Sequence, residues 1–530
     1  MRPRLLAWLA VAAIVVIAGA IRLRLLDVPL DRDEGEYAYF GQLLLAGIPP
    51  YAQAYNLKMP GIYGAYALIM AVFGQTPSAI RAGLMLTTSA TTVAAYLLGA
   101  RLGGSAIGVT AAGVFAALSL NPRMLGIAAY AEHFALLPVL VGALVLWSAG
   151  RQRPPLGVLA SGLLFGIALL VRQSTAAFVA GGAAYIVLAY RDQRQPSRLG
   201  RVGGLTVFLA GGAAPLVLTA ISLWMAGTFK TFWFWVFSYA RYYQADPATG
   251  WSNLVRSLSS VAPSTSLVLA LTVVGVGSTM RDPDRDRRLF VLMFAASSVL
   301  GTMMGLQFRP HYFLLAAPAV ALLSAIGLVA LSRLLAVQRL GALRSAVPAL
   351  VGLLAIVQPL YASRTVLFEL APAQVSRAIY GRNPFPESVE VARYIREHSD
   401  AGDRVAVVGS EPQIYFYSGR RSATGYIYTY PLMELQPYAP MMQRNMIQEI
   451  ETAAPRYLVF VSATRSWIAR PDSDRTIFGW FERYQRDFTR VGVVDILPQQ
   501  ETVYRWGDAA AGYVPRSDVW LMVFERARPS

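Results

Sequence analysis

The segment LDRDEGEYAYF, residues 30–40, places Asp31, Asp33, Glu34 and Glu36 within six positions of a chain whose formal net charge is +17. Carboxylates gathered in this way suit general-base work. A hydroxyl is a weak nucleophile at neutral pH, and a positioned Asp or Glu takes its proton as attack proceeds. Asp33 and Glu34 are the candidate pair, and burial at an interface is expected to raise a carboxylate's pKa towards a useful range. The stretch also reads as helix capping. Asp33 would be the N-cap and Glu36, three residues on, would complete a capping box, with Tyr37 and Leu44 on the apolar side of an amphipathic helix.

Other short segments carry compatible chemistry. NLKMPG (56–61) holds Lys58, one of only two lysines; a compact ammonium neutralises a phosphate at membrane depth or snorkels to the headgroups. YAEHF (130–134) places Glu132 and His133 at the end of an apolar run, where ionisable groups mark function or a satisfied pair. FRPHYF (308–313) offers Arg309, His311 and Tyr312 at a proline break, either around an anion or as an interface anchor. Arg172 in LVRQST lies between two further apolar runs.

These residues must be positioned by a membrane protein. Of 530 residues 55% are hydrophobic and 15% charged, and the mean hydropathy is +0.45. Apolar runs at 5–26, 78–99, 105–120, 133–149, 156–171, 174–190, 204–226, 257–279, 289–306, 313–335 and 345–361 read as spanning helices, several of them short. Residues 60–74, opening on Pro and Gly, fit an interfacial helix better. With the N-terminus inside and 60–74 not crossing, the arginine clusters all face inside: Arg101, Arg151, Arg153, the segment 191–201, the segment 281–288, Arg339 and Arg344. The outer loops then hold the acidic segment, 121–133, the aromatic stretch 227–256 and 307–312. The basic balance is topological, and no continuous basic face points to nucleic acid.

The apolar N-terminus reads as a retained first helix. Residues 362–530 carry no spanning run. ESVEVARYIREH (387–398) has helical periodicity, and 404–410, 456–462 and 518–526 read as strands, which gives an α/β layer without a phosphate-binding glycine loop. With no cysteine in the chain, this domain must fold on its core alone. The expected fold is a polytopic α-helical membrane protein, with about eleven spans and interfacial helices in the first outer loop (1–361), followed by a C-terminal extracytoplasmic α/β domain (362–530). The aromatic run TFWFWVFSYARYY (231–243) is an interface belt or a lid.

The acidic pair in the first outer loop, followed by an interfacial helix that opens after Lys58 and Pro60, resembles the GT-C membrane glycosyltransferases. The protein mannosyltransferase and aminoarabinose transferase branch, with its family 39-like members, is the most similar. ARLGG (100–104), YAEHFALLP (130–138), RPHYFLLAAPA (309–319) and the C-terminal domain add to the likeness. The resemblance implies transfer of a sugar from a polyprenyl-phosphate carrier to an extracytoplasmic acceptor (a glycan, lipid or protein hydroxyl) by a cell-membrane enzyme. By position, Asp33 matches the catalytic aspartate, Glu34 its acidic neighbour and Glu132 a second acid. Lys58, Arg309 and His311 match donor-phosphate contacts, with Arg172 and Tyr312 beside them. Gly35 and Glu36 depart from the aminoarabinose transferases, which carry a basic residue shortly after the acidic pair, and Glu132 stands where Asp is usual; these leave sugar and acceptor open. No cofactor is demanded, although Mg²⁺ or Mn²⁺ between Asp33 and Glu132 suits hard oxygen ligands. The rival readings are a transporter or flippase of lipid-linked precursors and a noncatalytic envelope-assembly protein.

Overall fold

The structure, a computed structural model, describes residues 2–149, 154–190, 200–337 and 343–527. Arg151, Arg153, Arg339 and nearly all of the segment 191–201 lie outside the described residues.

Every apolar run forms a helix. The first half of the chain holds α1 (Arg2–Arg24), α2 (Arg32–Leu45), α3 (Gly61–Phe73), α4 (Pro77–Gly103), α5 (Ser105–Ser119), α6 (Ala131–Ala149), α7 (Pro155–Val171) and α8 (Ala176–Ala189). There follow α9 (Arg201–Met225), α10 (Phe229–Trp233), α11 (Pro247–Met280), α12 (Arg285–Met303), α13 (Ala317–Val337) and α14 (Leu343–Ala362). Among the described residues six helical stretches are long and apolar enough to cross a membrane, at Arg4–Arg24, Pro77–Gly103, Ala131–Ala149, Arg201–Met225, Pro247–Met280 and Pro310–Leu335. α11 starts ten residues earlier than the apolar run. It joins an amphipathic stretch to a spanning one across a kink at Thr265, just after Pro263, whose missing N–H breaks the hydrogen-bond ladder.

Small residues let the helices approach closely. A Cβ on Gly162 of α7 would lie 2.0 Å from the Phe208 carbonyl oxygen of α9, and one on Gly275 of α11 would lie 1.9 Å from the Leu323 carbonyl oxygen of α13. In lipid, where apolar burial gives helices little reason to associate, such backbone proximity supplies the packing.

The C-terminal segment forms a six-stranded mixed sheet. Its strands are β1 (Arg404–Val408), β2 (Arg421–Ser422), β3 (Tyr457–Ser462), β4 (Phe488–Asp495), β5 (Val503–Trp506) and β6 (Trp520–Arg526), in the order β2-β1-β3-β6-β4-β5. β2, β1 and β3 run parallel and the remaining pairs antiparallel. The expected strand runs are β1, β3 and β6, and the expected helix is Phe385–Glu397. β1 and β3 are apolar almost throughout because both faces are covered.

α2 is gripped between the membrane helices and this segment. A Cβ on Gly35 would lie 2.5 Å from Gln413 Cβ. The Tyr39 hydroxyl oxygen accepts the Ser422 N–H at 2.8 Å, and Gln42 donates to the Phe416 carbonyl at 3.2 Å. The aromatic run is neither wholly belt nor wholly lid. Trp233, Phe237 and Tyr242 are exposed, whereas Trp235 and Tyr239 are buried. Trp235 stacks on Tyr55 at 6.0 Å and Tyr239 donates to Glu434 at 2.5 Å, so this face of the run is a strut to the C-terminal segment.

Candidate active site

The capping box lies two residues earlier than expected. Asp31 is the N-cap of α2: its Oδ1 accepts the Glu34 N–H at 3.0 Å, and Glu34 Oε2 accepts the Asp31 N–H at 3.2 Å. The chain contains two overlapping pairs of the right spacing, 31/34 and 33/36, and tertiary partners choose between them. Glu34 is fully buried and takes Arg81 of α4 at 2.9 Å and the Ala129 N–H at 2.6 Å, while the Tyr130 hydroxyl donates to Asp31. Glu34 therefore faces away from Asp33 and holds the helix end in place.

The same choice releases Asp33 and Glu36. Three residues apart in a helix, they share a face, and Lys58 reaches both: Nζ lies 2.9 Å from Asp33 Oδ1 and 2.6 Å from Glu36 Oε2. Glu36 Oε1 accepts from the Tyr63 hydroxyl at 2.9 Å, and Lys58 sits 4.6 Å from the centre of the Tyr37 ring. Asp33 Oδ1 also accepts from the Tyr428 hydroxyl of the C-terminal segment at 2.8 Å. Asp33 Oδ2 has no hydrogen-bond partner among the described residues, and the Asp33 side chain is 21% exposed where that of Glu36 is 0%. One oxygen of Asp33 is pinned twice and the other is open.

Charge separates the two carboxylates. Burial disfavours ionisation of Asp33, but Lys58, followed by His311 and the Lys58 and Tyr428 hydrogen bonds, holds it well below the usual carboxylate range. Burial outweighs Lys58 at Glu36 and pushes it up to about 7. Lys58, which burial alone would lower, is raised by Asp33 and Glu36. The upward shift expected of Asp33 from burial is thus reversed by its cation.

A second group adjoins the first. Glu132, in the first turn of α6, is fully buried. Its Oε1 lies 3.0 Å from Arg172 Nη2, at the end of α7, and 3.9 Å from His311 Nε2. The Arg172 guanidinium lies 4.3 Å from the centre of the Tyr312 ring, and His311 stacks on Tyr130 at 4.3 Å. Arg309 forms no ion pair among the described residues, and its buried Nε is without a hydrogen-bond partner, as are Glu132 Oε2 and His311 Nδ1. Asp33 acts electrostatically on Glu132, Arg309 and His311. The expected residues Asp33, Lys58, Glu132, Arg172, Arg309, His311 and Tyr312 thus gather on one side of α2, and Glu34 lies on another.

The donor set is a poor fit to a divalent cation. Asp33 and Glu132 each already have their own cation, Lys58 and Arg172, and no group of three or more His, Cys, Asp or Glu side chains converges among the described residues.

Residues 58–218 match the family model of dolichyl-phosphate-mannose-protein mannosyltransferases. No curated protein matches the chain in sequence. Among solved structures, ArnT from Cupriavidus metallidurans bound to undecaprenyl phosphate superposes with a TM-score of 0.58 at 14% identity, covering 97% of each chain. The archaeal oligosaccharyltransferase AglB from Archaeoglobus fulgidus, in complex with an inhibitory peptide and a dolichol-phosphate, gives 0.54 at 12% identity, over 94% of this chain and 74% of that one. The chain has the GT-C fold. With six helical stretches long and apolar enough to cross a bilayer among its described residues, the chain is a multi-pass membrane protein. The family match begins at Lys58 and takes in Glu132 and Arg172, but leaves Asp33 and the 309–312 turn outside it.

Sequence reasoning overlooked Glu36 as a ligand of Lys58, although its spacing from Asp33 was visible. It also missed Arg81, Tyr130 and Tyr428, whose approach to α2 comes from segments 47, 99 and 395 residues distant from their partners. No local pattern marks them.

Proposed function

We propose that the chain is an inverting membrane glycosyltransferase that moves a sugar from a polyprenyl-phosphate carrier to an acceptor hydroxyl on the extracytoplasmic face. The observation that carries this reading is the open Oδ2 of Asp33, set beside Lys58, Arg172 and Arg309 at a single site. Similarity in fold to proteins solved with undecaprenyl phosphate and with a dolichol-phosphate supports the carrier class.

In this mechanism the acceptor oxygen attacks the anomeric carbon as its proton passes to Asp33 Oδ2. The bond from that carbon to the phosphate oxygen breaks on the opposite side, and its electron pair leaves with the phosphate. No general acid is required, because a polyprenyl phosphate is a good leaving group. Arg309, Lys58 and Arg172 stabilise the charge that gathers there, which is usually the larger contribution. His311 and Tyr312 line the phosphate side, and Glu132 holds Arg172. A donor phosphate competes with the two carboxylates for Lys58. As the ammonium turns towards it, Asp33 becomes a stronger base at the moment one is needed.

The reading includes eleven crossings with a cytoplasmic N-terminus, a catalytic region at 1–361 and an extracytoplasmic region at 362–530. It needs no metal, since Lys58 and Arg172 supply the charge. The test is consumption of a panel of polyprenyl-phosphate sugars by purified protein in nanodiscs, with Asp33→Asn alongside. Consumption of a donor by the wild type only supports the reading; equal turnover by both proteins refutes it.

A further inference from the structure

Tyr428 lies in the loop after β2 and reaches across to α2. The loop is firmly mounted. The Tyr55 N–H donates to the Gly425 carbonyl at 2.8 Å, and the Thr429 N–H donates to Ser410 Oγ at 2.9 Å. The Tyr430 ring packs edge-on to Tyr428 at 4.8 Å; its hydroxyl donates to the Arg465 carbonyl at 2.6 Å and accepts from Arg32 at 2.8 Å. Arg32, next to Asp33, pairs with Glu411 at 2.5 Å, so the C-terminal segment grips α2 on either side of the Tyr428 contact.

Tyr428 and Lys58 both bind the same oxygen, Oδ1. Two donors on one oxygen fix the rotation of the carboxylate about its Cβ–Cγ bond. A base whose orientation is set by its partners keeps the productive geometry without reorganising. We propose that Tyr428 is a positioning residue for Asp33: by occupying Oδ1 from the C-terminal segment, it leaves Oδ2 as the oxygen that receives the acceptor's proton. This rests on the reading of Asp33 as the base. It gives the C-terminal segment a part in the chemistry itself.

Other ionisable groups face Asp33. Asp31 caps its helix, Glu36 and Tyr37 lie on it, Lys58 lies on the following loop, and Glu132 at the start of α6. Arg309 and His311 approach from the turn before α13, Tyr130 from the turn before α6, and Tyr243 from the segment before α11. Tyr430 faces it from the C-terminal segment. Among the described residues only Lys58 and Tyr428 touch the Asp33 carboxylate through a side-chain hydrogen bond. Lys58 moves to the phosphate when donor binds, so Tyr428 is then the remaining anchor of Oδ1.

The experiment measures the pH dependence of kcat for the full-length protein in nanodiscs, with whichever polyprenyl-phosphate sugar the wild type consumes. Tyr428→Phe keeps the ring and removes the donor. It is expected to lower kcat by about tenfold and to move the acid limb of kcat to higher pH by about one unit, with the donor KM within about twofold of wild type. A Tyr428→Phe protein with wild-type kcat and an unmoved acid limb overturns the proposal. Should that variant not fold, 3-fluorotyrosine at 428 decides. It retains the shape with a stronger donor, and an acid limb displaced to lower pH supports the proposal while an unmoved limb overturns it. Asp33→Asn separates the two levels. If Asp33→Asn turns over normally, the function itself is wrong; if it is inactive and Tyr428→Phe behaves as wild type, only the positioning role falls.

Discussion

Lys58 Nζ lies 2.6 Å from Glu36 Oε2, closer than to Asp33, and the Glu36 carboxylate is wholly buried. Glu36 is therefore the nearer seat of the lysine, one helical turn from Asp33, which the lysine also touches. A single ammonium thus bridges two carboxylates three residues apart on α2.

Removal of that cation should be felt at both acids. Lys58→Ala is expected to raise the donor KM at least tenfold (about 1.4 kcal/mol) and to lower the melting temperature, because a buried acid is left without its partner. Donor-binding curves and thermal unfolding on the same preparation check both effects.

Asp33 and Glu34 are neighbours with separable duties. Asp33→Asn should reduce transfer by about 10²–10⁴-fold and lower thermal stability at neutral pH as well, by removing one of the two carboxylates on Lys58, with Glu36 left as its partner. Glu34→Gln should act on stability alone: it weakens a buried ion pair with Arg81 and one half of the capping box, costing about 1–3 kcal/mol with turnover within about threefold. Turnover and melting temperature measured side by side distinguish them.

Glu36 carries a pH signature. Its pKa rises on folding from about 4.3 in the unfolded chain to about 7. The folded state thus binds the extra proton, and this contribution to stability is complete below the unfolded pKa and lost as pH rises through about 7. Glu36→Gln should flatten the fall in melting temperature between those two pH values. Asp33, whose pKa is lowered, has the opposite sign: its contribution is present above the unfolded value and disappears as pH falls.

Gly35 has no space for a methyl group, since Gln413 fills it. Gly35→Ala should cost about 1–3 kcal/mol and loosen the C-terminal segment from α2. Limited proteolysis should then cut residues 362–530 faster, and activity should fall although no substrate contact is altered.

The apolar helices were legible because long apolar runs admit few other structures, and β1 and β3 were legible as short apolar runs rich in valine, with aromatic residues in β3. The site was half legible. Asp33, Lys58 and Glu132 stood out because charge is rare in such a chain. The register of α2 was not, because two acid pairs had the spacing of a capping box and the deciding partner, Arg81, lies in another helix. The low pKa of Asp33 was equally hidden. It depends on a 2.9 Å approach by Lys58 across a loop, which no spacing encodes.

The seam between α2 and the C-terminal segment also bears on protein engineering. Tyr428 meets Asp33, Glu411 meets Arg32, and Gln413 packs where Gly35 has no side chain. A chimera cut at the end of α14 would exchange half of this seam and keep the other half. To exchange the C-terminal segment between proteins of this fold, residues 30–45 should travel with it, so that the graft boundary follows the contact surface rather than the end of α14.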